Sequence, residues 1–446
     1  MLPSSTSVRF LFHPALPEIH CWTISYGMDR WCVMDVVHPR CAGIDCSKKD
    51  AKVCVRIQGQ GRKKRSAMVT TWGATTGQIL ALREHLLAAK VTCVVIESTS
   101  DYWKPFYYLL DEELDVILVN AKSVRSVPGR KTDVSDAAWL ADLGAHGLVR
   151  ASFVPPPPVR ALRDLTRTRT VITRERTREV QRLEKLLEDA GIKLSSVACD
   201  ITGVSGRAML EALIAGQRDP AVIAELAQRR MRSKIPALTE ALTGRFSDHH
   251  RFMTRLFLDR IDAHNADIAR LDARIEEAMQ PFRAARDLLV SIPGFSRIIA
   301  EVFIAETGAD MAVFPTAGHL ASWAGLSPGS NESAGRVKST KTRPGNRYLK
   351  GALGIAALSA TRSTNTYFSA KYKRIATRRG PMRAVVAVEH AMITAAWNLL
   401  THGDFYRDPG ASYYIARQPA KTKARAITQL QSLGFKVTLE PLADSA

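Results

Sequence analysis

The stretch VTCVVIESTSDYWKP, residues 91–105, decides the fold of the first part of the chain. Its opening run, Val91–Glu97, is mostly apolar and rich in β-branched residues, which is typical of a strand buried on both faces. Strands of that kind lie at the centre of a sheet that helices cover. The run ends in a carboxylate, which is costly at the end of a buried strand unless it is paired, solvated or bound to a metal ion.

Strands and helices alternate on both sides of this run. The residue pattern predicts strands at Cys41–Cys46, Lys52–Gln58, Ala67–Thr71 and Asp115–Asn120, and helices at Thr76–Ala89, Trp103–Glu113 and Asp133–His146. This order predicts an α/β domain over residues 38–150, with a mixed sheet and helices on its faces in an RNase H-like arrangement.

Four acidic residues fall at the ends of these elements. Asp45 ends the first strand, where Gly43 on the same face leaves room beside the carboxylate. Glu97 ends the buried strand, and Asp133 and Asp136 share one face at the start of a helix. Together these acids predict a site for two Mg²⁺ ions that stabilise the attacking and leaving oxygens of phosphodiester chemistry. Taken singly, each acid is also explained as a helix cap or a solvated strand end.

A proline run, Pro155–Pro158, ends the first domain, and a long helical stretch follows from Arg160 to about Leu187. A second long helix, about Arg251–Met279, repeats isoleucine every seventh residue. The pair predicts a long helical coiled-coil arm over residues 155–285, either antiparallel within one chain or a pair that dimerises. The first helix is dense in arginine, and its candidates for nucleic-acid contact are Arg163, Arg167, Arg174 and Arg178. An ordinary charged helical hairpin explains the same pattern.

A mostly α-helical module is predicted over residues 286–405, followed by a tail over 406–446. Leu288–Glu306 places a Pro-Gly-Phe turn between two apolar helices, which resembles a helix-hairpin-helix element that grips a phosphate. A tight turn between packed helices is the simpler alternative.

The segment Trp323–Lys350 is rich in Gly, Ser and Pro and is predicted to be mostly loop. Its second half carries cations suited to phosphate contacts and no acid; the candidates are Arg336, Lys338, Lys341, Arg343 and Arg347. Ser327, Ser330, Ser333 and Ser339 are candidate nucleophiles, and composition alone does not choose among them.

Weaker candidates lie elsewhere in the module. Tyr367 and Tyr372, near Arg374, Arg378 and Arg379, allow a tyrosine recombinase, although a basic helix face explains them more simply. Glu301, Glu306 and Asp310 are expected at the surface or as helix caps.

Composition limits the possible functions. The 446 residues include 63 Lys and Arg against 43 Asp and Glu, and the net charge of +20 points to a polyanionic partner, most simply nucleic acid. There is no run of about 18 uncharged apolar residues, so no membrane span is expected. The seven cysteines form no CxxC pair, which favours reduced thiols in a cytoplasmic protein over disulfides or zinc.

Several of these motifs occur together in one known family. GIDCSKK around Asp45, VVIESTSDYWKP around Glu97 and VPGRKTDVSDAAWLADL around Asp133 and Asp136 resemble the DEDD transposases of bacterial insertion sequences, the IS110 family. Members of that family include bridge-RNA-guided recombinases. The second half agrees in IPGFSRIIAEVFIAETGADMAVFP, HLASWAGLSPGSNESAG and KTRPGNRYLKGAL. The likeness runs from about Gly43 to Leu400.

The resemblance implies a RuvC-like N-terminal domain in which Asp45, Glu97, Asp133 and Asp136 form the catalytic, metal-binding acid set. It also implies a C-terminal transposase domain with a nucleophilic serine, which the family pattern GLxPxxxxSxG places at Ser333. The implied activity is a transposase that cuts and rejoins DNA through a Mg²⁺-assisted phosphoserine. The implied partners are DNA, a structured guide RNA and further copies of the chain, in a dimer or tetramer.

Two other functions fit the residues. A metal-only RuvC-like nuclease or junction resolvase needs the acids but not the serine, and a nucleic-acid-binding protein that has lost catalysis needs neither. Residues 1–33 lack helix or strand periodicity and precede the first family motif. They are expected to form a poorly ordered, dispensable extension, with translation starting at Met28 or Met34.

Overall fold

The computed structural model describes residues 35–59, 65–121, 133–329 and 331–440. The predicted extension at residues 1–33 lies outside them. The chain divides into two compact units, one up to Val154 and one from Pro155 onward. The predicted arm and the predicted helical module both belong to the second unit.

The first unit is built on a five-stranded mixed sheet. Its strands are β1 (Arg40–Cys46), β2 (Asp50–Ile57), β3 (Ser66–Gly73), β4 (Cys93–Glu97) and β5 (Val116–Val119), in the order β3-β2-β1-β4-β5. The pairs β1–β2 and β2–β3 are antiparallel, whereas β1–β4 and β4–β5 are parallel. The predicted mixed α/β domain is therefore confirmed.

Helices cover both faces of this sheet because its central strands are apolar on both sides. The helices are α1 (Thr76–Ala88), α2 (Trp103–Leu110) and α3 (Asp133–Ala145). Ile44 and Ile96 belong to the core formed with α1 and α2. Cys41 and Val95, which point the other way, share a core with Leu140 of α3. Alternation along the strands thus assigns odd-numbered residues of β1 and β4 to the face under α3.

The arm consists of two long helices that pack along each other, α4 (Pro157–Asp189) and α9 (Asp248–Ala278). Short helices connect them: α5 (Leu194–Val197), α6 (Val204–Ile214), α7 (Pro220–Ala224) and α8 (Ile235–Ala241). These helices share one apolar core with Leu183 and Leu187 of α4 and Leu258 and Ile261 of α9. The arm therefore carries a compact helical cap at one end, which the sequence patterns do not predict.

The seam between α4 and α9 is polar in its middle. Of the predicted heptad residues in α9, Ile261 and Ile275 are buried and Ile268 is half-buried. Opposite them, Arg169 of α4 is buried and donates to Asp272 at 2.8 Å. The pairing is thus an antiparallel helix pair with an ionic stretch rather than a continuous apolar coiled coil.

The remaining elements form the module. Its helices are α10 (Arg283–Val290), α11 (Arg297–Thr307), α12 (Ala317–Trp323), α13 (Arg347–Arg362), α14 (Tyr367–Arg379), α15 (Pro381–His402), α16 (Tyr413–Arg417) and α17 (Pro419–Ser432). A hairpin of β6 (Asn331–Ser333) and β7 (Arg336–Ser339) interrupts them. The hairpin lies within the segment Trp323–Lys350, which is otherwise mostly irregular, as predicted.

Helix α15 is central to the module and packs on α10, α12, α13 and α14. By length and hydropathy alone it is the one helix in the described ranges that is able to span a membrane. Its apolar residues Val388, Met392 and Ala396 are instead buried inside the module. They explain its composition as that of a core helix.

The Pro-Gly-Phe turn between α10 and α11 is packed against α13. Gly294 has a φ of +92°, and a Cβ there would stand 2.4 Å from the Ala356 carbonyl oxygen. Ile292 and Phe295 on either side are buried. This geometry favours the tight turn between packed helices over a phosphate-gripping hairpin.

Candidate active site

Two of the predicted acids lie side by side at one edge of the sheet. Ile44 pairs with Ile96 in the parallel register of β1 and β4, so Asp45 and Glu97 follow at the same end of adjacent strands. Both are odd-numbered and therefore point to the face under α3. Glu97 is buried, and Thr99 Oγ1 donates to its Oε1 at 3.5 Å.

Helix α3 brings a third acid to this edge. Gly43 of β1 touches the helix so closely that a Cβ there would stand 2.2 Å from the Ala137 carbonyl oxygen and 2.4 Å from the Ala141 nitrogen. Asp136 precedes Ala137 in the first turn of α3 and is half-buried. The space that the missing side chain of Gly43 leaves is filled by the helix, which corrects the expectation of open room beside Asp45.

The Cys46 thiol, next to Asp45, has a raised pKa. Burial is the larger cause, and the negative charge of Asp45 is the smaller one. Cys46 therefore stays a neutral thiol and is not a nucleophile. Lys52, the cross-strand partner of Asp45 in β2, donates to Thr71 Oγ1 at 2.9 Å.

The donor set at the edge consists of carboxylates, which are the ligands that Mg²⁺ prefers. The side chain of Asp133, which begins α3, lies outside the described part of the chain. Among the described side chains, no three His, Cys, Asp or Glu residues stand close enough to hold a metal ion together. By chemical type alone these carboxylates suit the predicted ion, and Asp45, Glu97 and Asp136 lie toward the same end of the sheet without closing into a metal-binding group among the described side chains.

Ser333 lies at the end of β6, next to the hairpin turn. Its turn partners Ala334 and Gly335 both have positive φ, +50° and +74°. Such angles at two successive residues form the tight turn that matches the twist of a two-stranded hairpin. Ser333 pairs with Arg336 across the turn, and both side chains are exposed. The predicted nucleophile is therefore held on a defined element and is open to solvent.

The other serines are placed differently. Ser327 and Ser339 are half-buried, and the Ser339 hydroxyl accepts a bond from the Lys341 backbone at 3.2 Å. Ser330 lies outside the described residues. Of the three serines that are described, Ser333 is the most accessible.

The base of this hairpin is fastened to the module. Lys350 Nζ donates to the Gly325 carbonyl oxygen at 3.2 Å and to Thr342 Oγ1 at 3.1 Å. Asn346 caps α13 by accepting bonds from Tyr348 and Leu349 at 3.0 Å. The hairpin therefore projects from a fixed frame.

Glu306 is the centre of that frame, which corrects its expected place at the surface. It is fully buried in α11 and accepts two bonds of 2.7 Å from the Arg167 guanidinium and one of 2.6 Å from Asn346 Nδ2. Glu301, one and a half turns earlier, is also buried and pairs with Arg169 at 2.8 Å. Asp310 caps a short turn through Ala312, as predicted.

A sequence signal for these buried acids exists. Residues 297–307 read RIIAEVFIAET, a helix that is apolar nearly all round and therefore buried. A carboxylate within such a helix needs a cationic partner. The surplus of arginine in α4 supplies these partners.

The predicted nucleic-acid contacts on α4 divide into two groups. Arg163 donates to the carbonyl oxygens of Ala305 and Glu306 at 3.0 and 2.7 Å, and Arg167 is bound to the Glu306 carboxylate. Both guanidiniums thus have partners inside the unit, and their contact with nucleic acid stays a prediction. Arg174 and Arg178 are exposed.

The cations beside Ser333 form no ion pairs with acids among the described residues, although Arg347 donates to the Tyr348 hydroxyl at 3.2 Å. The five candidates are exposed, and no ion pair in the described ranges involves any residue after Glu306. These cations are Arg336, Lys338, Lys341, Arg343 and Arg347. Cations without ion pairs, placed around an exposed hydroxyl, are suited to bind the phosphate groups of a nucleic acid.

Comparison with known families gives two matches. Residues 42–192, which include β1 to α3, match a family described as Transposase. Residues 286–373, which include the serine hairpin, match the family described as Transposase IS116/IS110/IS902 family.

Individual relatives are similar along much of the chain. The 42 kDa protein of insertion element IS900 from Mycobacterium paratuberculosis is 28% identical over 401 residues, which are 82% of this chain and 96% of that protein. The 44.8 kDa protein of insertion element IS116 from Streptomyces clavuligerus is 27% identical over 286 residues, 55% of this chain and 68% of that protein. The 43.6 kDa protein of IS110 from Streptomyces coelicolor is 32% identical over 123 residues, 27% of this chain and 29% of that protein.

Proposed function

We infer from the two family matches that the chain belongs to the IS110/IS116 family of insertion-sequence transposases, and we propose that it cuts and rejoins DNA through a covalent bond to Ser333. The observation that carries this proposal is the exposed hydroxyl at a defined hairpin turn, flanked by five unpaired cations. A serine buried or bonded within the module would not reach a phosphate.

The proposed step exchanges one ester bond for another. Ser333 Oγ attacks the scissile phosphorus, the Oγ–P bond forms, and the bond from phosphorus to one deoxyribose oxygen breaks. The hydroxyl proton leaves Ser333, and the departing deoxyribose oxygen gains a proton. In rejoining, a deoxyribose hydroxyl of another strand attacks the phosphoserine and restores the serine. The bond energy is retained, so no nucleotide cofactor is needed.

We assign metal binding to the carboxylates of the first unit. Transposases of the DEDD type use a divalent metal, and we assign Mg²⁺, as two ions, to Asp45, Glu97, Asp133 and Asp136. An ion held by these carboxylates would neutralise charge on a bound phosphate and would activate an attacking oxygen. Glu97 and Asp45 are fixed by their strands and Asp136 by the contact of α3 with Gly43. The sheet order β3-β2-β1-β4-β5 supports the RNase H-like, RuvC-like interpretation of this unit.

The charge of the module supports a polyanionic partner besides the cut site. From residue 307 to the C-terminus the chain has 19 Lys and Arg but seven Asp and Glu. We assign this surface to DNA and to a structured guide RNA that pairs with it, bound by a homo-oligomer of the chain.

A covalent-adduct assay tests the serine assignment. Wild-type protein and Ser333→Ala are incubated with labelled DNA and Mg²⁺, then separated on a denaturing gel. We expect the wild type to retain labelled DNA and mass spectrometry to map the link to Ser333. Ser333→Ala is expected to lose cleavage and adduct together while still binding DNA. Ser339→Ala is the matched control and should behave like the wild type.

The carboxylates are tested in the same assay. Asp45→Asn keeps the shape of the side chain but removes its charge, so cleavage should fall to background while thermal unfolding stays close to the wild type. Normal cleavage by Ser333→Ala, combined with loss in Asp45→Asn, would replace the proposal with a metal-only nuclease. Full activity in Asp45→Asn would reject the metal site.

A further inference from the structure

Away from the serine hairpin, α14 and α16 bring together a stack of rings and cations. Tyr367 and Tyr414 stack with centroids 5.7 Å apart and planes 19° from parallel. The Arg374 guanidinium lies 4.5 Å from the centre of the Tyr414 ring. Lys371 Nζ lies 5.5 Å from the centre of Tyr367. Arg374 and Tyr414 both follow the last residue of the family match at 373.

This stack is held in place by the segment that leads to α16. Asp408 Oδ1 accepts bonds from the backbone of Tyr367 at 2.9 Å and of Gly410 at 2.7 Å. Tyr406 stacks on Phe368 at 5.6 Å, and Ser291 Oγ accepts a bond from its backbone at 2.9 Å. The Tyr414 ring is therefore positioned before any ligand arrives.

The charge around the stack is of one sign. Helix α14 has five Lys and Arg and no acid, and α16 with α17 has four and no acid. None of them is in an ion pair within the described ranges, and Arg374 itself is exposed. Like charges gathered on neighbouring helices repel one another. The cluster therefore does not stabilise the fold, whereas a polyanionic partner would neutralise its charge.

We propose that Arg374, held over Tyr414, is a stacking platform for an unpaired nucleobase of a nucleic-acid strand whose phosphates the neighbouring cations hold. A guanidinium is planar, and its outer face stacks on bases while its N–H groups bind phosphate. The inference rests on the proposed function only in taking nucleic acid as the partner.

A stacking platform selects an unpaired base, since only an unpaired base has an open face. In a duplex each base is covered on both faces by its neighbours, and only its edges are open in the grooves. An unpaired base in a DNA strand or an RNA loop exposes a face to an aromatic ring or a guanidinium. DNA and RNA share this chemistry, and the test separates them.

The test measures binding with the full chain carrying Ser333→Ala, so that no strand is cut. Four fluorescent probes of equal length are used: a DNA single strand, an RNA single strand of the same sequence, an abasic DNA strand and a DNA duplex. Arg374→Lys keeps the charge but removes the plane. We expect it to weaken binding of base-bearing single strands by roughly five- to hundredfold, as loss of one stacked base does. Binding of the abasic strand and the duplex should not change.

Two variants act as controls. Arg379→Lys makes the same change at an exposed residue of α14 that has no ring contact among the described residues, and it should bind all four probes normally. Arg378→Lys, a second exposed cation of α14 without a ring contact among the described residues, should also bind normally. The DNA and RNA single strands are then compared. The one whose binding Arg374→Lys weakens more identifies the nucleic acid that supplies the base.

Two results would overturn the inference: normal binding of both base-bearing strands by Arg374→Lys, or an equal loss on the abasic strand. The test is independent of the covalent step. Failure of the Ser333→Ala parent to bind any probe would contradict the proposed function, whereas normal binding after the added Arg374→Lys change contradicts the platform alone.

Discussion

At the scale of single residues, Glu306 is the acid on which the frame of the serine hairpin depends. Replacement by Gln leaves the Arg163 and Arg167 guanidiniums beside an uncharged, fully buried side chain. Breaking a buried pair by removing one partner costs about 3 kcal/mol. We expect that loss in the free energy of unfolding of Glu306→Gln, measured with denaturant. Glu332→Gln, at an exposed site on the hairpin, should change it by less than about 0.5 kcal/mol.

Glu389 in α15 gives the second prediction at this scale. Its side chain is buried, and its Oε2 has no hydrogen-bond partner in the described part of the chain. Burial raises the pKa of this carboxyl above the ordinary value of 4.5, although Lys350 opposes the shift. The fold therefore favours the protonated form, and stability present below pH 4.5 is lost as the pH rises through the raised pKa.

Glu389→Gln should remove this dependence. We expect the variant to melt at a higher temperature than the wild type at about pH 8, with the difference closing as the pH falls toward the ordinary carboxyl pKa. The pKa of His390 is lowered by burial and by Lys371. Both proteins share that histidine, so their difference isolates Glu389. A pH-independent difference would contradict the assignment.

At the scale of elements, the contact between β1 and α3 decides where the acids meet. Gly43→Ala places a methyl group 2.2 Å from a backbone oxygen of α3, so the helix must shift. We expect a loss of more than about 2 kcal/mol in unfolding free energy, and loss of Mg²⁺-dependent cleavage as Asp136 moves away from Asp45.

The same substitution at Gly77 is the control. A Cβ there meets nothing within 4 Å, and Gly77 lies in α1, where alanine favours the helix. Gly77→Ala should be neutral or stabilise the protein by up to about 1 kcal/mol. Equal stability of the two variants would show that the contact with α3 is not rigid.

Local sequence predicts elements better than it predicts their partners. The strand at Val91–Glu97 and the acids at element ends are visible because burial and alternation leave a local pattern. The approach of α3 to Gly43 and the pairing of Arg167 with Glu306 join residues about 94 and 139 positions apart along the chain. No local pattern encodes such pairs. Ser333 likewise is chosen by family pattern and hairpin geometry together, not by composition.

At the scale of the whole molecule, the positive charge is not where arginine density in α4 suggests. Residues 155–306 contain 25 Lys and Arg and 21 Asp and Glu, so the arm is close to neutral. Many of these cations are in ion pairs, such as Arg207 with Asp262 and Arg255 with Glu211. The segment after residue 306 carries 19 cations against seven acids.

This distribution predicts which cations set the salt dependence of DNA binding. Replacing Lys338, Lys341 and Arg343 by Ala should lower the slope of log affinity against log salt by about 0.9 per lost phosphate contact. Replacing Arg270, Arg274 and Arg283, which pair with acids on their own surface, should leave the slope unchanged. Titrations at several salt concentrations measure both, and equal slopes in the two triple variants would contradict the assignment.

The uneven charge of the second unit has a consequence before any contact forms. A near-neutral arm joined to a strongly cationic module gives this unit a large electric dipole. In the field of a DNA molecule such a dipole experiences a torque that turns its positive end forward, within the screening length of about 8–10 Å in physiological salt. We therefore expect the cationic module, which carries the serine hairpin, to face DNA on approach more often than the near-neutral arm does.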